Sequence, residues 1–316
     1  MTSRSPIASI VIPAYNCERY IEECLSSLQR QVLRDFEAIV VDDGSGDGTA
    51  GIIRRYAEQD PRFKLVQTSN HGVSHARNVA LDHVQGRYVL FVDADDFVAP
   101  DFIETLVRPL EDGDCDCSSC GITSCSDEGK SVFSSGETLV YSGAEAQVSM
   151  FDKPRGFLWN KGFRAALIAS VKLRLNEDVA QSEDMLFLLD YLSHCDRVTY
   201  DSGIKYCYRQ RRGSATNNID NPRWLDVLKV FQAYKERFSD NPPAKRAVAD
   251  NFLLMAYEAE YRASKCDVGP KLLNASCEMA QWCERNSSKT TLMGHFKRFL
   301  YKHAMPFVAF SRERRL

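Results

Sequence analysis

Short apolar runs alternate with amphipathic segments through the first hundred residues. Ser9–Pro13 (SIVIP) reads as a buried strand, and Tyr20, Ile21, Cys24, Leu25 and Leu28 then mark one face of a helix. Phe36–Asp42 (FEAIVVD) predicts a second strand, followed by a Gly-rich turn and a helix through Ile52, Ile53 and Tyr56. A third strand is expected over Phe63–Gln67, a helix over Gly72–Val84 and a fourth strand over Tyr88–Asp93. This alternation predicts an α/β fold with a mostly parallel central sheet and helices on both faces. Ligands of such sheets bind beyond the carboxyl ends of the strands. From about Cys115 to Thr216 the pattern is less regular, with short strands, a helix near Glu183–Leu192 and a strand over Ile204–Gln210. From Pro222 onward it is helical: Trp224–Phe238, Pro243–Ala263, Pro270–Arg285 and a last helix near Met293–His303, with Pro at or near the starts. The expected division is an α/β domain over residues 1–218 and a C-terminal helical region over 219–316.

Composition narrows the class. A hydrophobic fraction of 44% supports a packed core, and a net charge of −3 argues against a general nucleic-acid binder. The 11 cysteines are odd in number and scattered, so no disulfide framework is expected; several, such as Cys24 and Cys207, sit where an apolar residue would. That points to a reducing, cytoplasmic location. Residues 1–9 lack a signal core, and no apolar run approaches the roughly 18 residues of a membrane span.

The candidate chemistry gathers at the expected strand ends. Tyr88–Asp96 runs an apolar strand into Asp93-Ala94-Asp95-Asp96, and two acids at one point hold a hard divalent cation through oxygen. Mn or Mg on Asp95 and Asp93 could neutralise a diphosphate, the leaving group of a nucleotide-sugar. The bland reading is a solvated loop whose Asp caps the next helix. Gly46-Asp-Gly-Thr-Ala-Gly51 matches a dinucleotide fingerprint in form, but it follows the second strand and no acid ends the third. Its partner Asp43 suits the N–H of a pyrimidine base instead. Arg77, near the start of the third helix, suits a nucleotide or its phosphates by charge and dipole. In Ser182-Glu183-Asp184 the acids favour the helix start, and Asp184 is the candidate general base. Cys115, Cys117, Cys120 and Cys125 invite a zinc reading, but their spacing is not a paired knuckle, so buried strand residues are expected. Arg209 and Arg211 leave a strand before a Gly-Ser turn, which reads equally as a loop that closes over a diphosphate or as a solvated basic turn. Residues 292–316 interleave Phe, Leu and Val with Lys and Arg, which reads as a membrane-surface contact or as a helix packed on the domain with a solvated basic tail, Pro306 limiting the helix.

These motifs, in this order, resemble the family 2 glycosyltransferases, inverting enzymes of the GT-A fold, over roughly residues 7–216. Ser9–Asn16 is similar to the family's opening strand, which implies donor contacts at Pro13, Ala14 and Tyr15, with Tyr15 packed on the base. Val41–Ser45 is similar to its base-reading turn, at Asp43. Gly72–Asn78 resembles its G-x-x-x-A-R-N helix, at Arg77, and Asp93-Ala94-Asp95 its Asp-x-Asp signature. Glu183-Asp184 resembles the pair whose Asp is the base. Trp159-Asn160-Lys161 and Tyr208–Ser214 resemble segments of bacterial members that build surface polysaccharides, which implies an acceptor side at Trp159 and Glu183. The resemblance implies a nucleotide-sugar donor, a lean to uridine, and a glycan or lipid-linked acceptor. Two rivals are disfavoured. A sugar-nucleotidyltransferase needs a Gly-rich phosphate loop after the first strand, where this chain has Pro13–Asn16. A non-catalytic relative acting as sensor or partner subunit would be expected to lose Asp95 or Asp184.

Overall fold

A computed structural model describes residues 5–126, 129–133, 136–149, 156–210, 222–265 and 268–288. The alternation of the first hundred residues appears as β1 (Ala8–Ala14), α1 (Ile21–Gln29), β2 (Phe36–Asp43), α2 (Thr49–Gln59), β3 (Phe63–Thr68), α3 (Val73–Asp82) and β4 (Tyr88–Phe91). β1 and β2 are almost wholly buried, as continuous apolar runs covered on both faces must be. The expected fourth strand is shorter than its apolar run: it stops at Phe91, and the Asp-x-Asp turn begins.

Next come β5 (Phe97–Val98), α4 (Phe102–Glu111), β6 (Cys117–Ser126), β7 (Gly129–Phe133), β8 (Leu139–Ser142) and α5 (Gly143–Ser149). The same unit is completed by β9 (Lys161–Arg164), α6 (Ala165–Ser170), α7 (Glu183–Leu192) and β10 (Arg197–Arg209). α4 adds to the predicted elements; Phe102, Ile103, Leu106, Val107 and Leu110 line its buried face at helical spacing.

The sheet runs β3-β2-β1-β4-β9-β6-β10-β5, with β7 on β6 and β8 on β10. From β3 to β4 every pair is parallel. β9 then enters antiparallel between β4 and β6, while β6 and β10 are parallel to each other. The parallel half is the part predicted by the alternation of the first hundred residues; the remainder is mixed. The core joins Ile10, Ile12, Val40 and Leu90 to Leu25, Ile53, Phe102 and Trp159.

Two compact units divide the chain: residues 1–178 with 183–211, and residues 179–182 with 212–316. The second holds α8 (Val227–Arg237), α9 (Pro242–Lys265) and α10 (Gly269–Asn286), close to the helices expected there. Its core packs Phe231 edge-on to Phe252 and Trp282. Among the described residues no helix is long and apolar enough to cross a membrane. The last expected helix, and all of residues 292–316, lie outside the described residues.

The cysteines differ from expectation in one respect. Cys125 and Cys207 are joined, with Cα atoms 6.5 Å apart. The parallel register of β6 and β10 sets Cys207 opposite Thr123 and Cys125 opposite Arg209, which brings the two side chains to one place. Cys115, Cys117 and Cys120 are buried thiols, each pushed up by burial.

Candidate active site at the carboxyl edge of the sheet

Strand register delivers the polar clusters to one edge. Ala14 pairs with Asp42, and Val11 with Phe91, so the segments after β1, β2 and β4 leave the sheet side by side. Tyr15 stands 50% exposed there, a large flat ring on a surface whose strands are buried. Pro13 is half-buried, while Ala14 and Ala94 are buried and offer backbone rather than side chain. The loops after β1 and β2 interlock. Gly46 N–H donates to Asn16 Oδ1 at 2.8 Å, and Gly48 N–H to Glu18 Oε2 at 2.6 Å. Asn16 holds a positive φ of 46° to do so. A Cβ at Gly46 or Gly51 would meet nothing within 4 Å, whereas one at Gly48 would lie 2.8 Å from Glu18 Oε2. Gly44 is constrained by its backbone: its φ is +73°, and a Cβ would lie 2.9 Å from Asn70 N.

Asp43, expected on a base, is held by donors of the protein itself. It is 3% exposed, and its carboxylate accepts from Thr68 Oγ1, His71 N and Gly72 N at 3.0, 3.1 and 2.8 Å. Those donors fix the β3–α3 loop and the start of α3. A carboxylate aimed at the first amides of a helix is a favourable arrangement in its own right, so this acid builds the edge from beneath.

Arg77, expected at a nucleotide or its phosphates, lies among carboxylates of the protein. It is 3% exposed, and its guanidinium faces acids. Nη1 donates to Glu183 Oε1 at 2.7 Å and Asp184 Oδ1 at 2.8 Å, and Nη2 to Asp93 Oδ1 at 2.8 Å. One buried cation therefore ties the Asp-x-Asp turn to the acid pair that opens α7. The next residue, Asn78, both donates to and accepts from the Leu175 backbone, pinning the segment that leads toward α7.

Carboxylates outnumber the cation. Burial and the charges of Asp95 and Asp184 raise Asp93 despite Arg77. Burial, then Asp95 and Asp93, push Asp96 well above the carboxylate range. Glu183 is raised by burial and by Asp184, against Arg77. Crowded acids at a sheet edge are a functional signature. The donor set fits Mn or Mg. Among the described residues no three His, Cys, Asp or Glu side chains gather as a metal cage. Mg is commonly held by one or two carboxylates together with substrate phosphates, and Asp95 with Asp93 supplies that number.

A clasp that the motifs did not point to shapes this turn. Tyr206 Oη donates to Asp96 Oδ2 at 2.7 Å and accepts from Asp93 N at 3.1 Å. Arg209 N–H donates to Asp96 Oδ1 at 2.7 Å, and Arg209 Nε to Asp95 O at 2.9 Å. The Arg209 guanidinium also bonds Glu23 and lies over the Tyr20 and Phe97 rings. Arg209 thus holds the turn from the side, whereas a phosphate contact was expected; Arg211 lies outside the described residues. Trp159 differs as well. It is 4% exposed and stacks on Tyr206, with centroids 4.3 Å apart, and between Phe157 and Tyr208. Its neighbours Phe157 and Tyr208 are half-buried. Tyr206 escapes sequence reasoning because its partners are 110 and 113 residues away.

Comparisons with known proteins bear on the family and the fold. The model described as "Glycosyl transferase family 2" matches residues 9–176, more than half of the chain. An uncharacterized glycosyltransferase of Bacillus subtilis, EpsJ, is 32% identical over 236 residues, covering 72% of this chain and 68% of that protein. An Escherichia coli chondroitin synthase is 40% identical over 101 residues, 32% of this chain and 15% of that protein. The crystal structure of S. aureus TarS 1–349 in complex with UDP-GlcNAc superposes with a TM-score of 0.71 at 22% identity, over 88% of this chain and 82% of that one.

Proposed function

The chain belongs to glycosyl transferase family 2, and from that premise we propose an inverting, metal-assisted transfer from a UDP-sugar to a hydroxyl of a glycan or lipid-linked acceptor. The observation that carries this reading is the single guanidinium of Arg77 bonded to both Asp93 and Asp184. It brings the acid that would face the donor and the acid that would serve the acceptor within the reach of one side chain.

Each residue then has a task. The exposed ring of Tyr15 offers a flat face to a nucleobase. Asp95 and Asp93 would hold Mn or Mg. When bound, that cation neutralises charge on the departing nucleoside diphosphate. Asp184 takes the acceptor hydroxyl proton. The acceptor oxygen forms its bond to the anomeric carbon from the face opposite the diphosphate, as the bond from that carbon to the phosphate oxygen breaks. Arg77 and Leu158 N–H, at 2.8 and 3.2 Å from the two Asp184 oxygens, orient the base. Positioning and charge neutralisation supply most of the rate. The relatives support the donor and acceptor classes: one neighbour's structure holds UDP-GlcNAc, and one relative is a chondroitin synthase. Residues 292–316 are proposed to meet an anionic membrane surface on the cytoplasmic face, where a lipid-linked acceptor would lie.

Two substitutions test the assignment together. Asp184→Asn should lower transfer by about 10²–10⁴-fold with nucleotide binding retained. Asp95→Ala should lose both transfer and Mn-dependent nucleotide binding. Full activity in the Asp184→Asn protein would remove its role as base.

A further inference from the structure

Lys161 has no part in the mechanism above, yet it is fully buried, at 0% exposure. A buried ammonium is costly unless its protons are satisfied and its charge is used. Its Nζ donates to the Phe157 carbonyl oxygen at 2.7 Å and to Asn160 Oδ1 at 2.9 Å. That carbonyl belongs to the same peptide unit as Leu158 N–H, which donates to Asp184 Oδ2 at 3.2 Å. One rigid amide plane thus has a cation at its oxygen end and a carboxylate at its N–H end. Peptide planarity makes the two contacts interdependent: turning the plane to lose one loses the other. The peptide dipole is aligned with both charges, in an interior where such terms are weakly screened.

The neighbours of this peptide are also fixed. Lys161 N–H returns to Leu158 O at 3.1 Å, which closes the turn. Asn160 bonds Cys120 twice, through its own carbonyl and its side-chain amide, nailing the turn to β6. Burial pushes the Lys161 ammonium down to about 8, with Asp184 among the groups that hold it up.

We propose that Lys161 is a positioning residue for Asp184, acting through the single peptide unit that joins Phe157 and Leu158. The proposal rests on the reading of Asp184 as the base.

A double-mutant cycle tests it, with UDP release from UDP-GlcNAc, UDP-glucose or UDP-galactose as the readout. Lys161→Met should lower kcat about 10–100-fold, the range for a hydrogen bond to a charged group, with donor KM within about twofold. In an Asp184→Asn background the same change should add less than about twofold, because the two residues act as one unit. An equal loss in both backgrounds, or a rise in donor KM with kcat unchanged, would overturn the proposal. If Asp184→Asn itself retains full activity, or the wild type releases no UDP, the premise is gone and the proposal goes with it. Loss in Asp184→Asn with none in Lys161→Met leaves the base standing and removes Lys161 alone. Should Lys161→Met fail to fold, an ester in place of the 157–158 amide (leucic acid at Leu158) deletes the N–H directly. It should show the same fall in kcat, and unchanged kcat would again overturn the proposal.

Discussion

The two edges of one sheet treat buried acids in opposite ways. At the amino edge, Glu37 accepts from Ser9 Oγ at 2.5 Å, Gln85 N at 2.8 Å and Lys64 Nζ at 2.6 Å. Burial works against its charge, but Lys64, Ser9 and the Gln85 N–H outweigh it, and its carboxyl lies below the usual range. At the carboxyl edge, Asp93 and Glu183 share Arg77 while Asp96 lies on Tyr206 and the Arg209 N–H, and all three acids are raised. The first edge is saturated with donors of its own. The second holds charge that the protein itself leaves unbalanced, which suits it to a cation and a reacting hydroxyl. Stability is built at one edge, and chemistry is placed at the other.

The largest expected break of this contrast is Arg77→Leu. It leaves Asp93, Glu183 and Asp184 without their shared partner, and a buried pair broken on one side typically costs about 3–5 kcal/mol. Urea unfolding should register that loss, and a midpoint near wild type would remove Arg77 from the centre of the site. Next is Tyr206→Phe, which strips a donor from Asp96 and an acceptor from Asp93 N. Unsatisfied buried groups cost about 1–3 kcal/mol, and a displaced turn should also raise donor KM. A stability loss with KM unchanged would make the tyrosine a core residue alone.

The finest test sets one edge against the other. Glu37→Gln should cost about 1–2 kcal/mol at pH 7, since it discards charge-assisted bonds. Because its folded pKa is depressed, that contribution is present above the ordinary carboxylate range and fades as pH falls through the folded value. The gap between wild type and Glu37→Gln should therefore close in acid. Glu183→Gln should change stability by less than about 0.5 kcal/mol, or raise it, because a raised carboxyl gains from neutrality. Equal losses at both positions would erase the distinction between the edges.

Much of this was legible in the chain because its causes are local. Apolar runs of strand length gave the parallel half, and acids directly after those runs could fall only at their carboxyl ends. The α7 boundary at Glu183 follows from two acids preceding an apolar helix. What escaped were meetings between distant segments. Arg77 reads locally as an anion ligand at a helix start, and only packing turns it toward carboxylates 16 to 107 residues away. Asp43 reads as a free acid in a turn until the β3–α3 loop closes over it. Trp159 reads only as an acceptor-side residue by resemblance, because nothing in its own segment announces the stack on Tyr206. Charge and shape at a site are set by tertiary neighbours, so residue types were easier to find than their orientations.

The most direct test of the central claim is a thermal-shift panel of UDP, GDP, dTDP and CMP, each with and without Mn, on wild type and Asp95→Ala. The account predicts a stabilising shift with UDP that requires Mn and vanishes in Asp95→Ala. No shift with any nucleotide, or a shift indifferent to both Mn and Asp95, would contradict a donor site at this edge.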